Sequence, residues 1–128
     1  MEPTHHISSR QLTLKELDHI IHGHSKIALS EDARVKIIRC RDYLDEKLAS
    51  SSHPLYGINT GFGSLYNKHI PKDQLEQLQE NLVMSHACGT GPEVSREIVL
   101  LMLFLKIQSL SYGYSGVQVE TVERLIDM

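Results

Sequence analysis

Residues 56–63 read Tyr-Gly-Ile-Asn-Thr-Gly-Phe-Gly, and the three glycines in this short stretch constrain the fold more than any other feature of the chain. Glycine loses much conformational entropy on folding and adds no side-chain packing, so a cluster of glycines indicates special backbone angles or the close approach of another segment or ligand. The spacing matches neither the dinucleotide-binding nor the P-loop glycine pattern, so it predicts no phosphate cradle. We expect a tight loop that carries the Tyr56 hydroxyl on an inflexible support, with an ordinary connector between helices as the alternative.

Helical patterns lie on both sides of this loop. Thr13 and Glu16 match a capping box and predict a first helix that ends near Gly23. Ser30 is expected to cap a longer second helix, which ends in the polar stretch 49–54. A third helix is predicted with Pro71 in its first turn and with one shared face made of Leu75, Leu78, Leu82 and His86, before Gly89 and Gly91 end it.

Two more helices are predicted towards the C-terminus. The fourth is expected to start near Pro92 and to end before Gly113, and its apolar run from Ile98 to Leu105 predicts a helix buried on most sides. Ser115 and Gln118 match an S-x-x-Q box that would open the fifth. Strand-like patterns are confined to residues 7–12 and 26–29, so the predicted fold is mainly α with a short β element near the N-terminus.

Charge, length and cysteine usage narrow the class of protein. The 128 residues fit one domain, and the net charge of −3 with scattered Lys and Arg argues against nucleic acid or an anionic membrane as partner. The eight-residue run 98–105 is far shorter than the roughly 18 apolar residues of a membrane-spanning helix. Cys40 and Cys88 form no C-x-x-C pair and the N-terminus lacks the pattern of a signal peptide, so a reducing cytoplasm is expected.

Three segments together carry a family resemblance: residues 56–63, residues 78–91 (Leu-Gln-Glu-Asn-Leu-Val-Met-Ser-His-Ala-Cys-Gly-Thr-Gly) and residues 113–117 (Gly-Tyr-Ser-Gly-Val). In order and spacing, from about Ile7 to Met128, the chain resembles the N-terminal part of the histidine ammonia-lyases, which are aromatic amino-acid ammonia-lyases. The resemblance implies that residues 1–128 form the N-terminal domain of the helical ammonia-lyase, fumarase and aspartase-like fold. In that family the domain packs beside a long helical bundle through which subunits assemble into a homotetramer.

The family forms a methylidene-imidazolone electrophile from an Ala-Ser-Gly tripeptide, and no Ala-Ser-Gly occurs in these 128 residues. The resemblance therefore implies a fragment of a longer enzyme, in which the electrophile and the arginine for the substrate carboxylate lie elsewhere. By this interpretation the fragment alone is inactive. Gln118 stands where many relatives carry arginine, which leaves the detailed positioning of that region open.

The resemblance assigns the β-proton base to Tyr56. A free tyrosine has a pKa near 10, so this role requires a pocket that favours phenolate or an early coupled proton transfer. The alternative is a packing tyrosine whose hydroxyl bonds a neighbouring carbonyl. The rest of the motif is expected to shape the loop, Asn59 and Thr60 through side-chain hydrogen bonds to backbone and Gly57, Gly61, Phe62 and Gly63 through the turn itself.

Ser85 and His86 are the predicted substrate-binding pair, because histidine-specific relatives carry Ser-His at this place. A polar pair can hydrogen-bond a substrate imidazole, which favours L-histidine over the substrates of the related tyrosine and phenylalanine lyases or aminomutases. A core histidine is the alternative for His86. A naturally short, non-catalytic helical binding or assembly module is the alternative for the whole chain.

No metal site is predicted. His19 and His22 are three apart and could share a helix face, with His24 just after them and His5 and His6 upstream, but no carboxylate or cysteine falls at a confirming spacing. Cys88 and His86 are also disfavoured as a nucleophile pair, because residues two apart on a helix do not face each other.

Overall fold

The computed structural model describes residues 3–23, 25–50, 53–61, 63–68 and 70–128. Across these residues the chain is mainly helical, with one short parallel sheet, so the predicted fold class is confirmed. None of the helices in the described ranges is both long and apolar enough to cross a membrane. The elements in chain order are β1 (Thr4–Ile7), α1 (Leu14–His22), β2 (Lys26–Leu29), α2 (Glu31–Ser50), 3-10 turns at Gly63–Leu65 and Lys72–Gln74, α3 (Leu75–His86), α4 (Arg96–Leu110) and α5 (Val119–Ile126).

The chain divides into two compact units, one made of Met1–Ser50 with Val94–Met128 and the other of Ser51–Glu93. In the first unit β1 and β2 pair in parallel, from Thr4 opposite Lys26 to Ile7 opposite Leu29. The core of this unit is made of aliphatic side chains and one aromatic ring, which come from β1 and from the helices α1, α2, α4 and α5. Its buried members are Ile7, Ile20, Ile37, Phe104, Ile107, Leu110 and Val122.

Two helix starts agree with the sequence prediction. At α1 the Thr13 hydroxyl accepts from the Glu16 amide at 3.2 Å, and the Glu16 carboxylate accepts from the Thr13 amide at 2.8 Å. This reciprocal pair satisfies amides that have no partner inside the helix. At α2 the Ser30 hydroxyl accepts from the Ala33 amide at 3.2 Å, as expected for a cap.

The other helix starts were misplaced by the sequence patterns. Pro71 precedes α3, because its carbonyl accepts from the Gln74 amide at 3.0 Å and closes a 3-10 turn first. The fourth helix begins at Arg96 rather than near Pro92. The predicted Ser115 capping box is wrong, since Gly116 takes a left-handed φ of 67° that no helix continues through, and α5 begins after Gln118 instead.

The first strand also lies earlier than predicted, at residues 4–7 instead of 7–12. The backbone just beyond it bonds to α4 rather than to a strand. The Gln108 side-chain amide donates to the carbonyls of Ser8 at 2.7 Å and Arg10 at 3.2 Å, and the Ser111 hydroxyl donates to Ser8 at 3.2 Å. Long-range side-chain partners of this kind leave no local sequence signal.

The apolar run from Ile98 to Leu105 is less buried than its composition predicted. Phe104 is buried, but Ile98 is 50% exposed, Met102 64% and Leu105 47%. The helix is apolar on more than one side, and in the first unit only one of those sides meets the core. The prediction of a helix buried on most sides is therefore wrong for this chain by itself.

The segment 113–117 packs closely on α2. Gly113 has a φ of 71°, and a Cβ built on it would lie 2.7 Å from the Lys36 carbonyl oxygen. Gly116 likewise approaches the Leu44 side chain, where a Cβ would lie 2.6 Å from Leu44 Cδ2. The glycines of this segment thus have a packing role that their spacing alone did not show.

Candidate functional site

The loop that carries Tyr56 is fixed by a buried asparagine. Asn59 is 5% exposed, and its side-chain oxygen accepts from the Leu55 amide at 2.7 Å while its NH₂ donates to the His53 carbonyl at 3.3 Å. The Leu55 carbonyl in turn accepts from the amides of Ile58 at 3.0 Å and Asn59 at 3.2 Å. The backbone before and after Tyr56 is therefore held by one network of hydrogen bonds.

A buried threonine secures the second half of the loop. Thr60 is fully buried, and its hydroxyl accepts from the Gly57 amide at 3.3 Å and donates to the Gly61 carbonyl at 3.0 Å. Gly57 takes a φ of 74° and Gly63 a φ of 55°, and residues that carry a Cβ rarely adopt these backbone conformations. Gly61 is buried, and Phe62 lies outside the described residues.

Tyr56 itself projects from this framework. Its side chain is 63% exposed, whereas Asn59 and Thr60 behind it are buried. The loop is tied to the segment that leads into α3, because the Ile70 amide donates to the Asn59 carbonyl at 2.9 Å. The Tyr56 side chain is therefore exposed on a backbone that is anchored by hydrogen bonds.

Ser85 and His86 occupy the last turn of α3, and both are exposed. The Ser85 hydroxyl donates to the Leu82 carbonyl at 2.9 Å, and His86 Nδ1 lies 2.8 Å from that same oxygen and 3.0 Å from Ser85 Oγ. Since a carbonyl oxygen only accepts, Nδ1 must carry a proton to bond it. In the neutral ring this leaves Nε2 as a hydrogen-bond acceptor.

His86 does not share the half-buried face that the sequence predicted for it. Leu75, Leu78 and Leu82 are half-buried, but His86 at the end of the helix is exposed, and none of the described side chains of α3 is fully buried. The alternative of a core histidine is therefore not what this structure shows. Tyr56, Ser85 and His86 all belong to the second compact unit.

Two cavities are lined by residues of the first unit. One, of about 280 Å³, is apolar and lies between α1, α4 and α5, with Ile20, Leu103, Phe104 and Leu125 among its lining. Another, of about 570 Å³, combines Lys36 and Arg39 with the side chains of Cys40 and three tyrosines. Sequence reasoning singled out neither, because both depend on which helix faces meet.

The histidines near α1 form no metal centre within the described part of the chain, where no group of three or more His, Cys, Asp or Glu side chains is placed to hold an ion. His22 instead bonds acidic groups: Nδ1 lies 3.0 Å from Asp18 Oδ1, and Nε2 lies 3.3 Å from Glu97 Oε1 on α4. The Asp18 carbonyl and these carboxylates raise the pKa of His22 above its ordinary value. His24 falls outside the described residues.

Comparison with known proteins places this chain in a family. The model of the aromatic amino acid lyases matches residues 12–128, which is nearly the whole chain. The chain belongs to the aromatic amino acid lyase family. Curated relatives include histidine ammonia-lyase 2 of Fusobacterium nucleatum, 42% identical over 95% of this chain, and histidine ammonia-lyase of Deinococcus radiodurans, 43% identical over 94%. The chain spans only 24% and 23% of the length of these two lyases.

Several solved structures share the fold of this chain. The ergothioneine-degrading enzyme ergothionase of Treponema denticola matches 94% of this chain with a TM-score of 0.87 at 25% identity. Tyrosine aminomutase of Streptomyces globisporus matches 98% with a TM-score of 0.86 at 25% identity. Histidine ammonia-lyase of Trypanosoma cruzi matches 94% with a TM-score of 0.79 at 32% identity. The chain covers 24%, 23% and 23% of these proteins.

Proposed function

We propose that residues 1–128 are the N-terminal domain of a histidine ammonia-lyase, which eliminates ammonia from L-histidine to give trans-urocanate. The observation that carries the proposal is the exposed phenol of Tyr56 on a loop anchored by buried Asn59 and Thr60. Curated relatives at 42% and 43% identity are named histidine ammonia-lyases, which supports the same substrate.

Elimination needs two chemical devices, because the β-hydrogen of an amino acid is a very weak acid and the amino group is a poor leaving group. In the proposed enzyme the phenol oxygen of Tyr56 removes the β-proton. A positioned base of this kind contributes roughly 10²–10⁴ in rate, provided that its surroundings favour the deprotonated form. Closure of the site by other parts of the enzyme would exclude water around the otherwise exposed ring.

His86 supplies recognition of the substrate ring. With the Nδ1 proton engaged by the Leu82 carbonyl, Nε2 accepts a hydrogen bond from an N–H of a substrate imidazole, and Ser85 fixes the orientation of the His86 ring. A phenyl ring offers no such donor. Sites built to hydrogen-bond a substrate group strongly reject analogues that lack it, because their own polar atoms are then left unpaired.

A methylidene-imidazolone, when present, makes the amino group a better leaving group by acting as an electrophile. Its Ala-Ser-Gly precursor is absent from these 128 residues, so in the proposal another part of the polypeptide forms it. Tyr56, Ser85 and His86 are polar and exposed in their own unit, which is consistent with their meeting such a group from another part of the polypeptide. We therefore propose that this chain is inactive alone, and that the whole enzyme is a cytoplasmic homotetramer.

A tyrosine or phenylalanine lyase or aminomutase is the second candidate function. Tyrosine aminomutase of Streptomyces globisporus and phenylalanine aminomutase of Pantoea agglomerans both match this fold with a TM-score of 0.86. The substrate is decided by assaying the full reading frame against L-histidine, L-tyrosine and L-phenylalanine. Urocanate formation that exceeds turnover of the other two by at least a hundredfold supports the proposal, and preference for either aromatic substrate would reject it.

The His86→Leu variant of the same enzyme tests the recognition step. The proposal expects the preference for histidine to fall by at least tenfold, while the near-ultraviolet absorbance of the electrophile stays unchanged. Ser109→Ala on α4 is the matched control, since Ser109 is also a polar residue near a helix end but lies in the first unit. Unchanged selectivity in His86→Leu would remove His86 from substrate recognition.

A further inference from the structure

The backbone on the N-terminal side of Tyr56 is bonded by the side-chain amide of Asn59. Asn59 accepts from the Leu55 amide at 2.7 Å and donates to the His53 carbonyl at 3.3 Å, so its two atoms bond the chain immediately before the tyrosine. Asn59 is 5% exposed, which shields these bonds from competition by water. Directly after Tyr56, Gly57 takes a left-handed φ of 74°, which glycine adopts at little steric cost because it has no Cβ.

We propose that Asn59 is a positioning residue for Tyr56, which sets the direction in which the phenol leaves the loop. The inference rests on the proposed function, since it takes Tyr56 as the β-proton base. Thr60 holds the amide of Gly57, but the hydroxyl reaches only the C-terminal side of the tyrosine. Asn59 bonds both His53 and Leu55, on the N-terminal side of the tyrosine.

The side chain must be an amide for this role. It provides one acceptor and one donor on the same planar group, whereas an aspartate at neutral pH only accepts and an alanine does neither. Removal of one partner leaves a buried polar group unsatisfied, so the backbone is expected to shift until it finds water or another partner. Tyr56, which directly follows Leu55 in the chain, then moves with it.

A shift of Tyr56 affects the chemical step more than binding. A misplacement of about 1 Å can cost roughly 10² in rate, because proton transfer requires close and aligned atoms. Ser85 and His86, which recognise the ring in the proposed function, bond each other and Leu82 and make no hydrogen bond to Asn59 that the structure records. The change is therefore expected in kcat, with KM nearly constant.

The experiment compares Asn59→Ala and Asn59→Asp in the full-length enzyme. We expect Asn59→Ala to lower kcat at least thirtyfold with KM within twofold, and Asn59→Asp to recover part of the loss because it still accepts from Leu55. Hydrogen exchange of the Leu55 amide, followed by mass spectrometry, should accelerate in Asn59→Ala and less in Asn59→Asp. Asn67→Ala and Asn67→Asp are matched controls, since Asn67 is exposed in the same unit, and both should behave as wild type.

A Tyr56→Phe background separates positioning from a general structural effect. If Asn59 acts through the phenol, adding Asn59→Ala to Tyr56→Phe should lower the residual kcat by less than threefold. If Asn59→Ala lowers kcat by the same factor in the Tyr56→Phe background as in the wild-type enzyme, the inference is overturned. A normal kcat in both Asn59 variants would also overturn it. If Tyr56→Phe itself keeps normal turnover, the proposed base role fails, and this result is distinct from a failure of Asn59 alone. Partial recovery by Asn59→Asp keeps the test decisive even if Asn59→Ala folds poorly.

Discussion

The phenol of Tyr56 is exposed while the side chains that hold its loop are buried, and this contrast defines the candidate site at the scale of single residues. Residue types in the motif were enough to predict that Asn59 and Thr60 bond the backbone. They were not enough to predict which carbonyls and amides they reach, because those partners depend on the path of the loop. The exposure of His86 could not be predicted from the sequence either, because helical spacing placed it on one face with the half-buried Leu75, Leu78 and Leu82.

Gly113 offers a residue-scale test of the packing on α2. Gly113→Ala should lower the free energy of unfolding by more than about 2 kcal/mol, because alanine in the left-handed region costs about 1–2 kcal/mol and its Cβ would also meet the Lys36 carbonyl. Gly89→Ala is the control, since a Cβ there meets nothing within 4 Å, and it should change stability by less than about 0.5 kcal/mol. Urea denaturation of both variants makes the measurement, and equal effects would contradict the packing role.

Helix boundaries show what local patterns predict at the scale of elements. The capping box at Thr13 and the cap at Ser30 were correct, because their signals are contained within one turn. The start of α5 was wrong because left-handed Gly116 interrupts the predicted first turn, and α4 starts later than predicted because the backbone at Ser95 is not yet helical. The strand at residues 4–7 was misplaced because its partner, β2, is distant in sequence.

The capping box of α1 predicts a pH dependence. Bonds from the Thr13 amide and from Arg10 and the Thr13 hydroxyl hold the pKa of Glu16 at about 2, below the ordinary value of 4.5. A carboxyl whose folded pKa is lowered stabilises the fold above about pH 4.5, and this contribution is lost as the pH falls from 4.5 towards 2. The free energy of unfolding, measured by urea denaturation, should therefore fall less between pH 5 and pH 3 in the Glu16→Gln variant than in wild type. Parallel pH curves for the two proteins would rule out this role for Glu16.

The whole molecule carries apolar surface that its own core does not use. The exposed side of α4 includes Val99, Met102 and Leu105, and Val94 extends it. The chain spans about 24% of the length of its curated relatives, in which further polypeptide is available to cover such a face. Sequence composition predicted the apolar helix but not how much of it this unit buries, because composition does not show which side of the helix meets the core.

Self-association of the 128-residue chain is the expected consequence of this surface. Sedimentation velocity should show concentration-dependent oligomers, and Met102→Glu should shift them towards monomer by placing a charge in the apolar face. Leu14→Glu is the matched control, because Leu14 is 85% exposed on α1 and does not line this face, and it should leave association unchanged. A monomeric wild-type chain at high concentration would show that the α4 face does not drive association.

The central claim is that Tyr56 is the proton-transfer base of a histidine ammonia-lyase. Its most direct test is the rate of trans-urocanate formation from L-histidine by the full-length enzyme and its Tyr56→Phe variant. We expect a loss of at least a hundredfold in kcat, with the near-ultraviolet absorbance of the electrophile unchanged. A Tyr56→Phe enzyme that turns over within about threefold of wild type would contradict it.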